Sequence, residues 1–99
     1  MNAFVNDGWL PLVAEAQEKL GALDVEILEI KEKHGALRIA MGMLPSDNTV
    51  AAKAESVVSD LENRSQTICE FCGRPGTHAR WASFSKTLCE SCEAKGKKG

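Results

Sequence analysis

Two Cys-x-x-Cys pairs constrain this chain more than any other feature. They are Cys69-Glu-Phe-Cys72 and Cys89-Glu-Ser-Cys92, sixteen residues apart and confined to a 24-residue window. A CxxC turn aims two sulfurs at one point, and two such turns complete a tetrahedron. A spacer of about 15–20 residues is that of a zinc ribbon or treble-clef-like knuckle. Gly73 follows the first pair directly, where the turn needs a residue free to take positive φ. The reading is one structural Zn²⁺ held by Cys69, Cys72, Cys89 and Cys92. Structural disulfides belong to secreted proteins, and the N-terminus, Met-Asn-Ala-Phe-Val-Asn-Asp, has neither the basic nor the apolar stretch of a secretion signal. A redox CxxC sits at a helix start as a single reactive pair, not as two symmetric ones. A catalytic zinc keeps an open position and a general base nearby, whereas four soft ligands close the site. His78 is the other candidate ligand. With four thiolates available it reads instead as a polar loop or strand residue.

Ninety-nine residues suffice for one small domain with an appended metal knuckle. No apolar run approaches the ~18 residues of a spanning helix, so a cytoplasmic protein without membrane contact is expected. Charge is divided unevenly. Residues 1–65 carry six basic against eleven acidic side chains, and residues 66–99 carry six against three. Four thiolates on one Zn²⁺ add a net −2 to the second part, so no strongly basic nucleic-acid footprint survives.

Hydrophobic periodicity supplies the remaining elements. Trp9, Leu12, Val13, Ala16 and Leu20 form one apolar stripe at helical period, which predicts a helix over residues 8–20. Asp7 is its candidate N-cap and Gly21 its stop signal, and Glu15, Glu18 and Lys19 lie on the solvated side. Trp9 reads as core. Residues 25–43 read as a β-hairpin. Leu37, Ile39, Met41 and Met43 alternate with Ala36, Arg38, Ala40 and Gly42. The first arm is apolar on both faces through Val25, Ile27, Leu28 and Ile30, which calls for a bulge or for cover on both sides. Lys33-His34-Gly35 makes the turn, with Gly35 left-handed. His34, Lys31, Glu32, Lys33 and Arg38 read as a solvated tip. Pro45-Ser46-Asp47-Asn48 breaks the pattern and offers N-caps. Val50, Ala54, Val57, Val58 and Leu61 then mark a second amphipathic helix over residues 48–65, leading almost directly into Cys69. Trp81, Phe84 and Leu88 suit a small hairpin or loop over the metal, and the tail from Lys95 should fray.

The fold class is therefore α+β: helix, β-hairpin, helix, then a C-terminal four-cysteine zinc knuckle. Residues 1–65 form a small α-β-β-α domain with both helices on one side of a two-stranded sheet, and residues 66–99 form the finger with its basic tail. The open edges of a two-stranded hairpin leave self-pairing conceivable, with no residue choosing monomer or dimer.

Beyond these readings, the sequence resembles a group of small bacterial and phage proteins sharing the pattern GW…L, IKEKFGGLR, CxxCGxPG and LC. The matching residues are Gly8-Trp9 with Leu12, Ile30-Lys-Glu-Lys-His-Gly-Ala-Leu-Arg38, Cys69-Glu-Phe-Cys-Gly-Arg-Pro-Gly76 and Thr87-Leu-Cys89. His34 and Ala36 stand where Phe and Gly are usual. The resemblance supports the fold and implies no activity. Separately, residues 60–93 are similar to the four-cysteine finger of the DnaK-suppressor/TraR type of transcription factors, which associate with RNA polymerase. The long coiled coil of those proteins is missing here, so their mechanism does not carry over.

No catalytic constellation accompanies the finger, and a non-enzymatic regulatory or adaptor protein that binds another protein is the leading expectation. The alternative is a nucleic-acid-binding, transcription-related module using Arg74, His78, Arg80, Trp81 and Lys86, with Lys95, Lys97 and Lys98 behind them, since basic residues interleaved with an aromatic suit phosphate contact and base stacking. A metal-finger nuclease would need a His general base, and only His78 lies near the knuckle. No small-molecule substrate is indicated.

Overall fold

The computed structural model describes residues 2–81 and 84–92. Strand β1 (Asn2–Phe4) leads through a 3-10 turn (Asp7–Trp9) into helix α1 (Leu10–Ala22). Strands β2 (Ile27–Lys33) and β3 (Ala36–Met41) follow, then helix α2 (Asn48–Ser65), and finally β4 (Thr77–Trp81) and β5 (Phe84–Leu88). The molecule is α+β, with a three-stranded sheet ordered β1-β2-β3 and a separate two-stranded finger sheet.

The third strand was not legible in the sequence. β1 lies parallel to β2, with Ala3 opposite Ile30 and Phe4 opposite Lys31. Three residues hold no readable alternation, and a parallel strand needs the long crossover that α1 supplies. β2 and β3 pair antiparallel with a register shift between Ile27 and Glu29. The bulge at Leu28 resolves the first arm's two apolar faces: Ile27 and Ile30 are buried and Leu28 is half exposed. The loop is two residues, His34 and Gly35, both with positive φ (54° and 79°), the primed turn that matches strand twist. β3 ends at Met41, so Met43 leaves the sheet and is 94% exposed.

α1 starts and stops differently from expectation. Asn6, not Asp7, precedes the 3-10 turn. The helix also runs through Gly21 to Ala22. The left-handed residue that ends it is Asp24, at φ 58°. α2 begins where the sequence indicates: Asp47 Oδ1 accepts the N–H groups of Thr49 (2.8 Å) and Val50 (3.3 Å), satisfying orphan donors of the first turn.

The two helices pack on each other and on one face of the sheet, α1 against β2 and α2 against β3. The core gathers Trp9, Leu12, Val13, Ala16, Leu20, Ile30, Leu37, Ile39, Ala54 and Leu61. Burying each of the Leu, Ile and Val side chains among them is worth about 1.5–3 kcal/mol. Two carboxyl-terminal residues of α2 also cover the outer edge of β3. Ser65 Oγ accepts the Leu37 N–H at 2.9 Å, and Glu62 Oε2 accepts the Ile39 N–H at 3.1 Å. That edge is closed to strand pairing.

Candidate metal centre

The finger's two knuckles are built by short-range backbone hydrogen bonds. At the first, Cys69 N donates to Arg74 O (2.8 Å) and Gly73 N to Cys69 O (3.1 Å), and Gly73 has the expected positive φ of 80°. The second follows β5 and opens one helical turn at Glu90, with Cys92 N donating to Cys89 Sγ at 3.4 Å. These turns bring the sulfurs of Cys69, Cys72, Cys89 and Cys92 within 4.8 Å of one another. The Cys72–Cys89 separation is 3.4 Å. Zn–S bonds of about 2.3 Å in a tetrahedron place sulfurs about 3.8 Å apart, so both the donor chemistry and the spacing fit one metal ion. Cys69 and Cys89 are buried, Cys92 is half-buried and Cys72 is exposed.

The four thiols share charge unequally. Burial acts to raise Cys69, but backbone N–H groups of Cys89, Cys72 and Phe71 outweigh it and lower the thiol to about 6. Cys92 is pushed up to about 12, by Cys69 first and then Cys89. A cation at the centre is what lets four thiolates coexist.

Around the cluster, the finger is clamped to the helical domain at two places. On one side Gly8 N donates to Glu70 O at 2.8 Å, and the Trp9 indole N–H donates to Ile68 O at 2.9 Å. A β-carbon at Gly8 would lie 2.1 Å from Cys69 O, so only glycine lets the knuckle approach this closely. Trp9 is fully buried, in keeping with its reading as core. On the other side the hairpin tip meets β5. Thr87 Oγ1 donates to Gly35 O at 2.7 Å. That hydroxyl has one proton, already committed, so His78 Nδ1 must carry the hydrogen it shares with Gly35 O (3.2 Å) and Thr87 Oγ1 (3.1 Å).

Glu70 sits between the two clamps. It is 1% exposed; its carboxylate accepts the Thr87 N–H at 2.9 Å and faces Lys86 Nζ at 3.4 Å. Lys86 Nζ also reaches Glu32 at 3.3 Å, and Glu32 in turn accepts the Gly35 N–H at 2.6 Å. Burial pushes the Glu70 carboxyl above its ordinary range, against the opposing pull of the Thr87 N–H and the Lys86 ammonium.

This arrangement revises the sequence reading of the surface. Glu32, expected on a solvated tip, joins Gly35 in a packed junction; Lys31, Lys33, His34 and Arg38 do stay exposed. Of the proposed interaction residues, Arg74 is exposed. Lys86 is held between two carboxylates, and His78, a strand residue outside the thiol cluster, turns its Nδ1 to the hairpin tip. The side chains of Arg80, Trp81 and Phe84, and the tail with Lys95, Lys97 and Lys98, lie outside the described part of the structure. Sequence reasoning missed Gly8, Glu70 and Thr87 as anchors. Spacing and periodicity carry no signal for Glu70 or Thr87, because their partners lie 17 and 52 residues away in sequence.

No family model, curated protein or solved structure matches this chain. No helix among the described residues is long and apolar enough to cross a membrane.

Proposed function

We propose that this protein is a non-enzymatic, zinc-stapled module that binds another protein. The carrying observation is the closed cluster of four thiols. Cys69, Cys72, Cys89 and Cys92 would fill every position of a tetrahedral Zn²⁺, leaving none to activate water or substrate. The metal's role in this reading is structural, and the recognition surface lies elsewhere.

The choice of a protein partner rests on exposed apolar groups. Phe4 stands opposite Lys31, on the sheet face turned away from the helices, and is 61% exposed. Leu28, at the bulge, is half exposed, and so are Leu10 and Phe71. In this reading these exposed groups are what a protein partner would cover. The nucleic-acid reading is weakened because Lys86 is already paired with Glu32 and Glu70, and a phosphate would have to compete with both carboxylates.

Native mass spectrometry of the full chain should find one Zn²⁺, lost in Cys69→Ser and Cys92→Ser. Affinity capture from the native cell should recover a stoichiometric protein, and Phe4→Glu with Leu28→Glu should abolish capture without changing metal content. Capture of nucleic acid that weakens steeply with salt, with no protein retained, would instead support the transcription-related module.

A further inference from the structure

We infer that metal loading at the cysteine cluster locks the tip of the β2–β3 hairpin, so that the protein presents a different surface with and without metal. This deepens the proposed function and rests on its structural-metal reading. Three finger residues hold the tip: Thr87 and Lys86, two and three residues before Cys89, and His78, whose Nδ1 donates to Gly35 O. Glu70 follows Cys69 directly. Glu70 accepts the Thr87 N–H (2.9 Å), and Glu70 N donates to Thr87 O (3.0 Å), so the two knuckles are hydrogen-bonded to each other one or two residues from the sulfurs. From this bridge two links run to the hairpin. Thr87 Oγ1 donates to Gly35 O (2.7 Å). Lys86 Nζ contacts Glu32 (3.3 Å), whose other oxygen accepts the Gly35 N–H (2.6 Å).

Packing makes the link short and stiff. A β-carbon on Gly35 would come 2.7 Å from Lys86 N and 2.9 Å from the His78 ring, so turn and β5 touch backbone to backbone. His34 and Gly35 both hold positive φ, a conformation costly for the histidine unless its surroundings fix it. The finger packs directly on the second of these two residues, Gly35. By contrast, the core beneath the sheet is built from α1, α2 and the strands, and contains none of the four cysteines. Losing the metal therefore frees the knuckles, then Thr87 and Lys86, then the turn, while the helical core persists.

The test is amide hydrogen exchange on the full chain, zinc-loaded and after chelation, with zinc stoichiometry measured on the same samples. Chelation should speed exchange of the Gly35 amide about tenfold or more, the loss of at least one hydrogen bond's protection, while Leu20 and Ile30 amides stay protected. Thr87→Val should speed Gly35 exchange in the zinc-loaded protein with metal content unchanged, because it removes the hydroxyl that binds Gly35 O and accepts from His78 Nδ1 while leaving the cysteines in place. Unchanged Gly35 exchange on chelation overturns the lock, and so does simultaneous loss of protection throughout α1 and α2, which would make the metal a support of the entire fold. Protein that takes up no zinc at any concentration instead refutes the structural-metal reading itself.

Discussion

A β-carbon at Gly35 has no room, lying 2.7 Å from the Lys86 amide nitrogen, and the residue's φ of 79° is one that L side chains avoid. Gly35→Ala should therefore cost about 1–3 kcal/mol from backbone strain alone, with the steric clash adding to it, and chemical denaturation would read it as a lower midpoint. Gly21 is the opposite case. It lies inside α1 with nothing within 4 Å of its absent β-carbon. Gly21→Ala should stabilise by about 0.5–1 kcal/mol, the helix-propensity difference. Equal effects from the two substitutions would mean that neither the positive φ nor the close approach of β5 constrains Gly35. The sequence offered Gly35 as a left-handed turn residue and Gly21 as a helix stop; the tertiary approach of β5 to Gly35 was not readable there.

At the scale of elements, α2 ties the molecule together along its whole length. Its Ser65 Oγ accepts the buried Leu37 N–H, so Ser65→Ala leaves that donor unpaired and should cost about 1–3 kcal/mol, measurable by thermal melting. Its Arg64 binds Glu15 of α1, which Lys19 also contacts at 2.8 Å. Arg64 first, then Lys19, lowers the Glu15 carboxyl from an ordinary 4.5 to about 2. A depressed carboxylate stabilises the fold above its unfolded pKa, and that contribution disappears as pH falls through the folded one. The loss should therefore run from about pH 4.5 down to about pH 2. Glu15→Gln should flatten this part of the acid limb while costing under about 1 kcal/mol at neutral pH, because the pair is partly exposed. An unaltered acid limb would show that the helices do not use this contact. Helical periodicity put Glu15 on the solvated side of α1. What it cannot report is that the neighbouring helix brings Arg64 to the same rim.

For the whole molecule, the finger and the helical domain are joined by both clamps, so metal affinity should appear as stability of the finger and its junction. Free Zn²⁺ at 100 times its dissociation constant should add about 2.7 kcal/mol. A scanning-calorimetry midpoint should rise with zinc concentration in the native chain and stay flat in Cys92→Ser. A midpoint indifferent to zinc would mean that the sulfurs converge without binding it.

Local patterns were enough to find most of the parts. The CxxC spacing located the four sulfurs because a knuckle is a turn of few residues, set by its own sequence. Helical period and the break at Pro45-Ser46-Asp47-Asn48, with its several candidate N-caps, located α2 over residues 48–65, since every determinant lies within one or two turns. The hairpin's glycine turn was equally local. The tertiary structure alone decided the parallel strand β1, whose pairing spans some 27 residues of chain. It also decided that Ser65 and Glu62 seal the β3 edge, and that Glu32, Gly35, Glu70 and Thr87 form one junction. Those assignments depend on hydrogen-bonding groups that are far apart in sequence and become partners only once the core has brought them together.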